Sequence, residues 1–271
     1  MAQHLRIKNI IPFDLGLTLD CGQAFRWSIA EDGGFEGIAM GKYLHIKQDG
    51  NDLIFCNTTE DDYNNIWKGY FDLERDYNDI LNRAKNHELL SKITENCGGI
   101  RLLKQDPWEA LCSFIISQNN NIPRIKGIID RLCQNFGEKI DGGYTFPTAE
   151  RLKDLTVDDL GVLRAGFRHK YILSAAKKCS NEIDLNILPT LPIDKAREVL
   201  MTITGVGPKV ADCTLLFGLG FLNAFPMDVW MKRAMAGLFN GKLPDGFDDC
   251  AGVIQQYIFH YARTNKLTFE E

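Results

Sequence analysis

Several features are missing from this chain, and each absence narrows its class. No run approaches the ~20 apolar residues needed to span a bilayer, so no transmembrane segment is expected. The first residues, Met-Ala-Gln-His-Leu-Arg, contain no apolar signal core, so export is not expected. None of the eight cysteines (21, 56, 97, 112, 133, 179, 213 and 250) belongs to a Cys-x-x-Cys pair, which argues against a structural zinc site and a four-cysteine iron–sulfur cluster. They are spread evenly, mostly in apolar surroundings, and are expected to be small core residues in a reducing compartment. An excess of positive charge is also missing: 31 Lys and Arg stand against 36 Asp and Glu, a net charge of −5. No Ser- or Pro-rich linker divides the chain.

What is present is ordinary globular material. The 271 residues, 45% apolar and 25% charged, suffice for one large or two medium domains. The charge is unevenly placed. Residues 60–79 carry seven acids against Lys68 and Arg75, whereas residues 121–240 carry 16 basic residues against 13 acids. The acidic stretch accounts for the whole imbalance, and residues 121–240 are mildly positive, as suits a protein that searches a polyanion rather than packages it.

The pattern of apolar residues changes along the chain. Residues 1–57 read as strands: Phe35 to Ala39, Tyr43 to Lys47, a turn at Gln48-Asp49-Gly50-Asn51, then Leu53 to Cys56. From residue 60 the spacing becomes helical. Asp106-Pro107-Trp108-Glu109 reads as an N-cap, a proline at N1 and a glutamate at N3. Helices are expected from there to Ser117, from Pro123 to Phe136, from Lys170 to Asn181 and from Asp249 to Thr264, with Thr148 and Thr156 as N-caps. The fold class is therefore α+β: an N-terminal antiparallel sheet domain over residues 1–105, then a mostly helical domain over residues 106–271.

The most informative stretch is 199–228. A helix from Pro192 to Thr202 and another from Pro208 to about Leu219 flank Gly205-Val206-Gly207. Glycines let the backbone approach a partner closely, and free N–H groups at a helix N-terminus form an anion site that a DNA phosphate fits. Such a hairpin holds the DNA backbone without reading sequence. Lys209 lies in the first turn of the second helix, where the dipole disfavours a cation; burial would lower its pKa further. A neutral amine is a nucleophile. Asp228, after Pro226-Met227, is placed as an N-cap, where a carboxylate is stabilised. An ordinary surface lysine and a capping aspartate would satisfy the same pattern.

Gly205-Val206-Gly207, Lys209 and Asp228 together resemble the helix–hairpin–helix (HhH-GPD) DNA glycosylase superfamily. Three further segments resemble the 8-oxoguanine DNA glycosylases within it: Cys21-Gly22-Gln23-Ala24-Phe25-Arg26-Trp27, Arg101-Leu102-Leu103-Lys104-Gln105-Asp106-Pro107, and Ser117-Gln118-Asn119-Asn120-Asn121-Ile122-Pro123-Arg124. The likeness runs from about residue 15 to about residue 263. It implies a TBP-like sheet domain followed by the HhH-GPD domain, with the active site in the cleft between them. It also implies a bifunctional glycosylase and AP lyase acting on flipped-out 8-oxoguanine, with Lys209 as nucleophile and Asp228 as its electrostatic partner.

The resemblance further assigns a base pocket. The Gly22 carbonyl would meet the N7–H of the oxidised base, Gln255 its Watson–Crick edge, and Phe259 and Cys213 its two faces. On the opposite strand Asn119 would fill the vacated stack. Arg124 and Arg168 would hydrogen-bond the orphaned cytosine, and Phe167, where related enzymes use tyrosine, would wedge beside it. Gly205 and Gly207 would hold phosphate. Without the resemblance, Gly22 reads as a turn glycine, Phe259 as core, the asparagines as a polar helix break and Arg168 as a solvated charge. One paired departure is visible: Trp230 and Ala262 stand where better-known members carry a histidine and an aspartate, so apolar packing is expected there in place of a polar pair. No cofactor and no catalytic metal are implied; carbonyls of Met201, Ile203 and Val206 offer a site for an alkali or alkaline-earth ion. The expected partner is duplex DNA with 8-oxoguanine opposite cytosine, and the expected state is a monomer, cytoplasmic and nucleoid-associated in a prokaryote. Two other readings stay open: a superfamily member acting on oxidised pyrimidines, separable by turnover of thymine glycol, and a non-catalytic hairpin DNA-binding protein, separable by single-turnover cleavage.

Overall fold

The computed structural model describes residues 4–265. In chain order the elements are β1 (His4–Ile7), α1 (Leu15–Asp20), β2 (Trp27–Ile29), β3 (Phe35–Ala39), β4 (Lys42–Asp49) and β5 (Asp52–Cys56). Next come α2 (Glu60–Asp62), a π-helical stretch over Tyr63–Trp67, α3 (Lys68–Tyr70), α4 (Tyr77–Lys85) and α5 (Glu88–Cys97). They are followed by α6 (Pro107–Ser117), α7 (Ile122–Phe136), β6 (Lys139–Ile140), β7 (Gly143–Tyr144), α8 (Ala149–Leu152) and α9 (Arg168–Asn181). The chain closes with α10 (Ile193–Met201), α11 (Pro208–Phe217), α12 (Val229–Phe239) and α13 (Ala251–Thr264). The first five strands form an antiparallel sheet in the order β1-β5-β4-β3-β2, with Leu5 opposite Phe55 and Ser28 opposite Glu36.

Two expectations need adjustment. Residues 15–20 are helical rather than extended, because the Asp14 side chain accepts the Leu17 N–H at 2.8 Å and caps a first turn. Thr156 does not cap an α-helix. Its hydroxyl accepts the Asp159 N–H at 3.2 Å while donating to the Asp159 carboxylate at 2.7 Å, and the turn that follows, Asp159–Leu163, is a 3-10 helix.

Packing gathers the chain into two compact units, each made of separate segments. The first holds the residues up to Gln23, Ile46–Lys104 and the chain from Leu222 on; the second holds Ala24–His45 and Gln105–Phe221. In the first unit, Phe71 meets Phe55 and Phe13 edge-on at 5.9 and 6.3 Å. Arg101, only 3% exposed, donates to the carbonyls of Pro12, Asp72 and Arg75 and lies 4.6 Å from the Tyr77 ring centroid. Its charge is compensated by carbonyl dipoles and a π face rather than by a carboxylate. Arg83 on α4 makes a two-pronged bond to Asp249 at 2.8 and 3.1 Å, tying the approach to α13.

The second unit is built on α6. Its helix start is as read: Asp106 accepts the Glu109 N–H at 2.8 Å and Pro107 is the first residue. Ala110, Leu111, Cys112, Phe114, Ile115 and Ile116 are all buried, so the helix is apolar all round and runs through the core. A Cβ on Gly218 would come within 3.0 Å of the Pro107 Cα, so that glycine lets the end of α11 close on the start of α6. All eight cysteines are free thiols.

Glu109 is the carboxylate on the otherwise largely apolar α6. Its carboxylate stands 3.4 Å from the Arg26 guanidinium, both side chains nearly enclosed. Burial pushes its pKa up to about 7 despite the attraction of Arg26. An acid whose folded pKa lies above its unfolded value binds a proton more readily when folded. It therefore favours the fold below about pH 4.5 and loses that contribution as pH rises through 7, by up to about 3 kcal/mol. Glu109→Gln keeps an acceptor for Arg26 but cannot ionise. The wild type should lose stability between pH 5 and 8 relative to this variant, as read by urea denaturation at the two pH values; parallel curves would exclude the effect.

Candidate active site and nucleic-acid interface

The hairpin lies wholly in the second unit. After α10 the chain turns tightly, with the Val206 N–H donating to the Ile203 carbonyl at 3.0 Å. Gly205 has φ +85, and a Cβ there would fall 2.2 Å from the Tyr171 ring; both facts demand glycine. Gly207 differs. It is extended (φ −97, ψ −178) and caps α11, and a Cβ there would meet nothing within 4 Å. No internal contact requires glycine at 207, and the N-terminus of α11 is left unobstructed beside it, with Pro208 at N1.

Lys209 follows in the first turn. Its Nζ donates to Ser117 Oγ at 3.2 Å and lies 5.1 Å from the Phe114 ring centroid. The side chain is half-buried rather than free in solvent. Cys213 stands four residues on, on the same helix and only 3% exposed. Ser117 and Phe114, which sequence reasoning did not single out, are thus the residues that hold the amine. Their clue lies in α6, where Phe114 and Ser117 are three apart and share a helix face.

The loop between α6 and α7 carries Asn119, exposed and in the left-handed region at φ +47, a conformation asparagine adopts more readily than most residues. Arg124 is exposed, its N–H capped by Asn121 at 3.0 Å. Arg168 is not the solvated charge of the plain sequence reading. It is 2% exposed and donates to the carbonyls of Gln118, Asn119 and Ala165. In this conformation it braces the asparagine loop from within. Phe167 beside it is 50% exposed, with the Arg168 guanidinium 4.4 Å from its ring centroid and Tyr171 edge-on at 5.7 Å.

The remaining predicted residues lie in the first unit. Asp228 caps α12, accepting the Met231 N–H at 2.6 Å, so its carboxylate faces the positive end of a helix dipole. Gln255 on α13 is 5% exposed; its Nε2 donates to the Pro226 carbonyl at 3.3 Å, and its Oε1 is buried without a donor. That bond brings α13 against the Pro226-Met227-Asp228 segment. Phe259 is half-buried and meets Trp230 edge-on at 5.9 Å, and Ala262 is fully buried. The edge-on contact of Trp230 and the burial of Ala262 fit the apolar packing expected at these two positions. Gly22 has φ +89. Its neighbours are fixed: the Cys21 carbonyl accepts Gln256 Nε2 at 3.1 Å, and buried Gln23 donates to the carbonyls of Thr18 and Arg101 and accepts the Leu103 N–H.

Cavities of about 560 Å³ near Trp108 and Ile183, and of about 640 Å³ near Trp27 and Tyr43, are lined by none of the predicted site residues. Among the described residues no group of three His, Cys, Asp or Glu is placed to hold a metal ion, and no helix is long and apolar enough to cross a membrane.

A two-glycine hairpin, a lysine held at its helix head and a capping aspartate point to a nucleic-acid enzyme of the helix–hairpin–helix class. Family comparison agrees: residues 6–111 match the model of the 8-oxoguanine DNA glycosylase N-terminal domain, and residues 112–245 that of HhH-GPD superfamily base excision DNA repair proteins. The chain belongs to the 8-oxoguanine DNA glycosylase family of the HhH-GPD superfamily. A solved structure of MBOgg1 with a low-affinity DNA ligand is 40% identical, with a TM-score of 0.93 over 98% of this chain and 99% of that one. The Clostridium acetobutylicum 8-oxoguanine glycosylase/lyase, solved with duplex DNA containing cytosine opposite 8-oxoguanine, is 38% identical, with a TM-score of 0.91 over 98% of this chain and 99% of that one. The N-glycosylase/DNA lyase of Saccharomyces cerevisiae is 43% identical over 152 residues, 50% of this chain and 40% of the yeast protein. The chain thus matches less than half the length of that yeast relative.

Proposed function

We propose that the chain is a bifunctional DNA glycosylase and AP lyase that excises 8-oxoguanine from duplex DNA. The observation that carries this reading is the Lys209 amine, held by Ser117 and Phe114 at the head of the hairpin helix. The Lys209 nitrogen attacks C1′ of the flipped nucleoside. The C1′–N9 bond breaks, its electron pair leaves with the base, and the base takes up the proton that the amine releases. Ring opening gives a Schiff base, which acidifies C2′; loss of that proton expels the 3′ phosphate and cuts the strand. The Asp228 carboxylate stabilises the positive charge that develops on the sugar.

Gly22, Cys213, Gln255 and Phe259 form the base pocket in this reading. The open Gln255 Oε1 suits it, since guanine's Watson–Crick edge presents N–H donors. Asn119 fills the vacated stack, exposed Phe167 wedges beside it, and Arg124 and Arg168 face the orphaned cytosine, Arg168 after leaving the carbonyls it now serves. Gly205 and Gly207 hold phosphate. No cofactor is needed for these steps; the carbonyls of Met201, Ile203 and Val206 are the hairpin's ligands for an alkali or alkaline-earth ion, the Ile203 oxygen keeping one lone pair beyond its bond to Val206. The substrate is duplex DNA with the lesion opposite cytosine, and the working form is a monomer, cytoplasmic and nucleoid-associated in a prokaryote, with residues 1–105 and 106–271 as its domains.

Cleavage of 8-oxoguanine duplexes with each of the four opposite bases tests lesion and readers together. Cytosine should give the fastest turnover. Equal rates with all four would remove the arginine readers, and preferred cutting of thymine glycol would replace the lesion.

A further inference from the structure

Ser117 is the last residue of α6, 92 positions from Lys209 in sequence, and the chemistry above assigns it no part. Its hydroxyl makes two hydrogen bonds. It donates to the Phe114 carbonyl at 2.8 Å and accepts from Lys209 Nζ at 3.2 Å. A hydroxyl has one proton. With that proton committed to Phe114, Ser117 meets the lysine only through an oxygen lone pair. It therefore cannot donate to the amine nitrogen and block the electron pair that must attack.

The second constraint is the Phe114 ring, 5.1 Å from the same nitrogen. Its negative π face attracts the amine hydrogens. The ring is fixed, 3% exposed, stacked on Phe217 at 5.3 Å and edge-on to Phe25 at 5.9 Å. A neutral amine carries two N–H bonds and one lone pair. With one hydrogen drawn to Ser117 and one to the ring, the lone pair takes the remaining corner of the tetrahedron.

We propose that Ser117 is a positioning residue for the nucleophile: an acceptor-only hydroxyl that, with the Phe114 ring, holds both amine hydrogens and leaves the lone pair free to attack. The proposal rests on the reading of Lys209 as nucleophile. It concerns alignment rather than contact with substrate, and misalignment of a reacting atom by about 1 Å is enough to cost on the order of 100-fold in rate.

The test uses the full chain and an abasic-site duplex, whose C1′ aldehyde accepts the amine with loss of water, so that base recognition is bypassed. Sodium borohydride reduces the imine to a stable adduct, and the trapping rate is measured at saturating DNA. Ser117→Ala should trap at least about tenfold more slowly, with its Kd for a tetrahydrofuran-site duplex within about twofold of wild type. Ser117→Cys, close in shape but a weak acceptor, should be as slow as alanine and guards against a folding defect in the alanine variant. Ser117→Thr, which restores the hydroxyl, should trap within about threefold of wild type. Wild-type trapping rates in the alanine and cysteine variants, a threonine variant as slow as alanine, or a loss confined to Kd would overturn the proposal. Lys209→Gln separates it from its premise: an adduct in that variant would discard the nucleophile itself, whereas no adduct there together with fast trapping by Ser117→Ala discards only the role of Ser117.

Discussion

Lys209→Gln should form no borohydride-trapped adduct with 8-oxoguanine duplex, and its single-turnover excision should fall by at least about 10³-fold. Glutamine is close in length and polar, so it can still lie over Phe114 and donate an amide N–H to Ser117. What it loses is a basic nitrogen with an available electron pair. The fold should be unaffected, because the amine contributes one hydrogen bond from a half-buried position at the start of α11. DNA binding should persist too, since the proposed phosphate contacts are made by backbone at Gly205 and Gly207. A trapped adduct with this variant would mean that another amine carries the chemistry.

Asp228→Asn should produce the second large loss, roughly 10²–10³-fold in excision, with little change in thermal stability. The residue has two roles that this substitution separates. As the cap of α12 it accepts the Met231 N–H, and asparagine caps a helix about as well as aspartate. As a carboxylate it supplies the negative charge proposed to balance the developing sugar cation, and asparagine has none. Asp228→Ala should lose both, with about 1 kcal/mol of stability falling away with the cap. Full turnover in the asparagine variant would confine Asp228 to its structural role.

Much of this could be read from residues alone, and the exceptions share a cause. The start of α6 was legible because Asp106, Pro107 and Glu109 act on their own turn. The hairpin was legible for the same reason, since Gly205 and Pro208 govern local backbone. Strands β3 and β5 carry enough apolar residues to stand out. The pieces missed were short or long-range. Helix α1 has one turn and a half, too little for a periodicity to show. The pairing of Lys209 with Ser117 joins residues on α11 and α6, which local spacing does not reveal. Likewise, nothing in Phe167-Arg168-His169 says that the arginine turns inward to the Gln118 and Asn119 carbonyls. The two compact units also cut across chain order, with residues 24–45 joining the helices of the second and residues from Leu222 on joining the first. One of their crossings, between Lys104 and Gln105, lies beside the boundary drawn from sequence; the exchange of segments depends on packing that no local pattern announces.

The solitary oxygen of Gln255 has a consequence for selectivity. A carbonyl shut away from water with no hydrogen to meet it raises the energy of the resting protein, by about 1–3 kcal/mol for such a group. On the proposed reading that tension is released only by a guest that brings a hydrogen to this spot. Guanine and its oxidised form do so at N1 and at the exocyclic amine; adenine's N1 is a bare acceptor, so only its exocyclic amine, at a different place on that edge, has a hydrogen to offer. A base that brings no hydrogen to this spot would thus be disfavoured before any contact with the lesion's own oxygen is made.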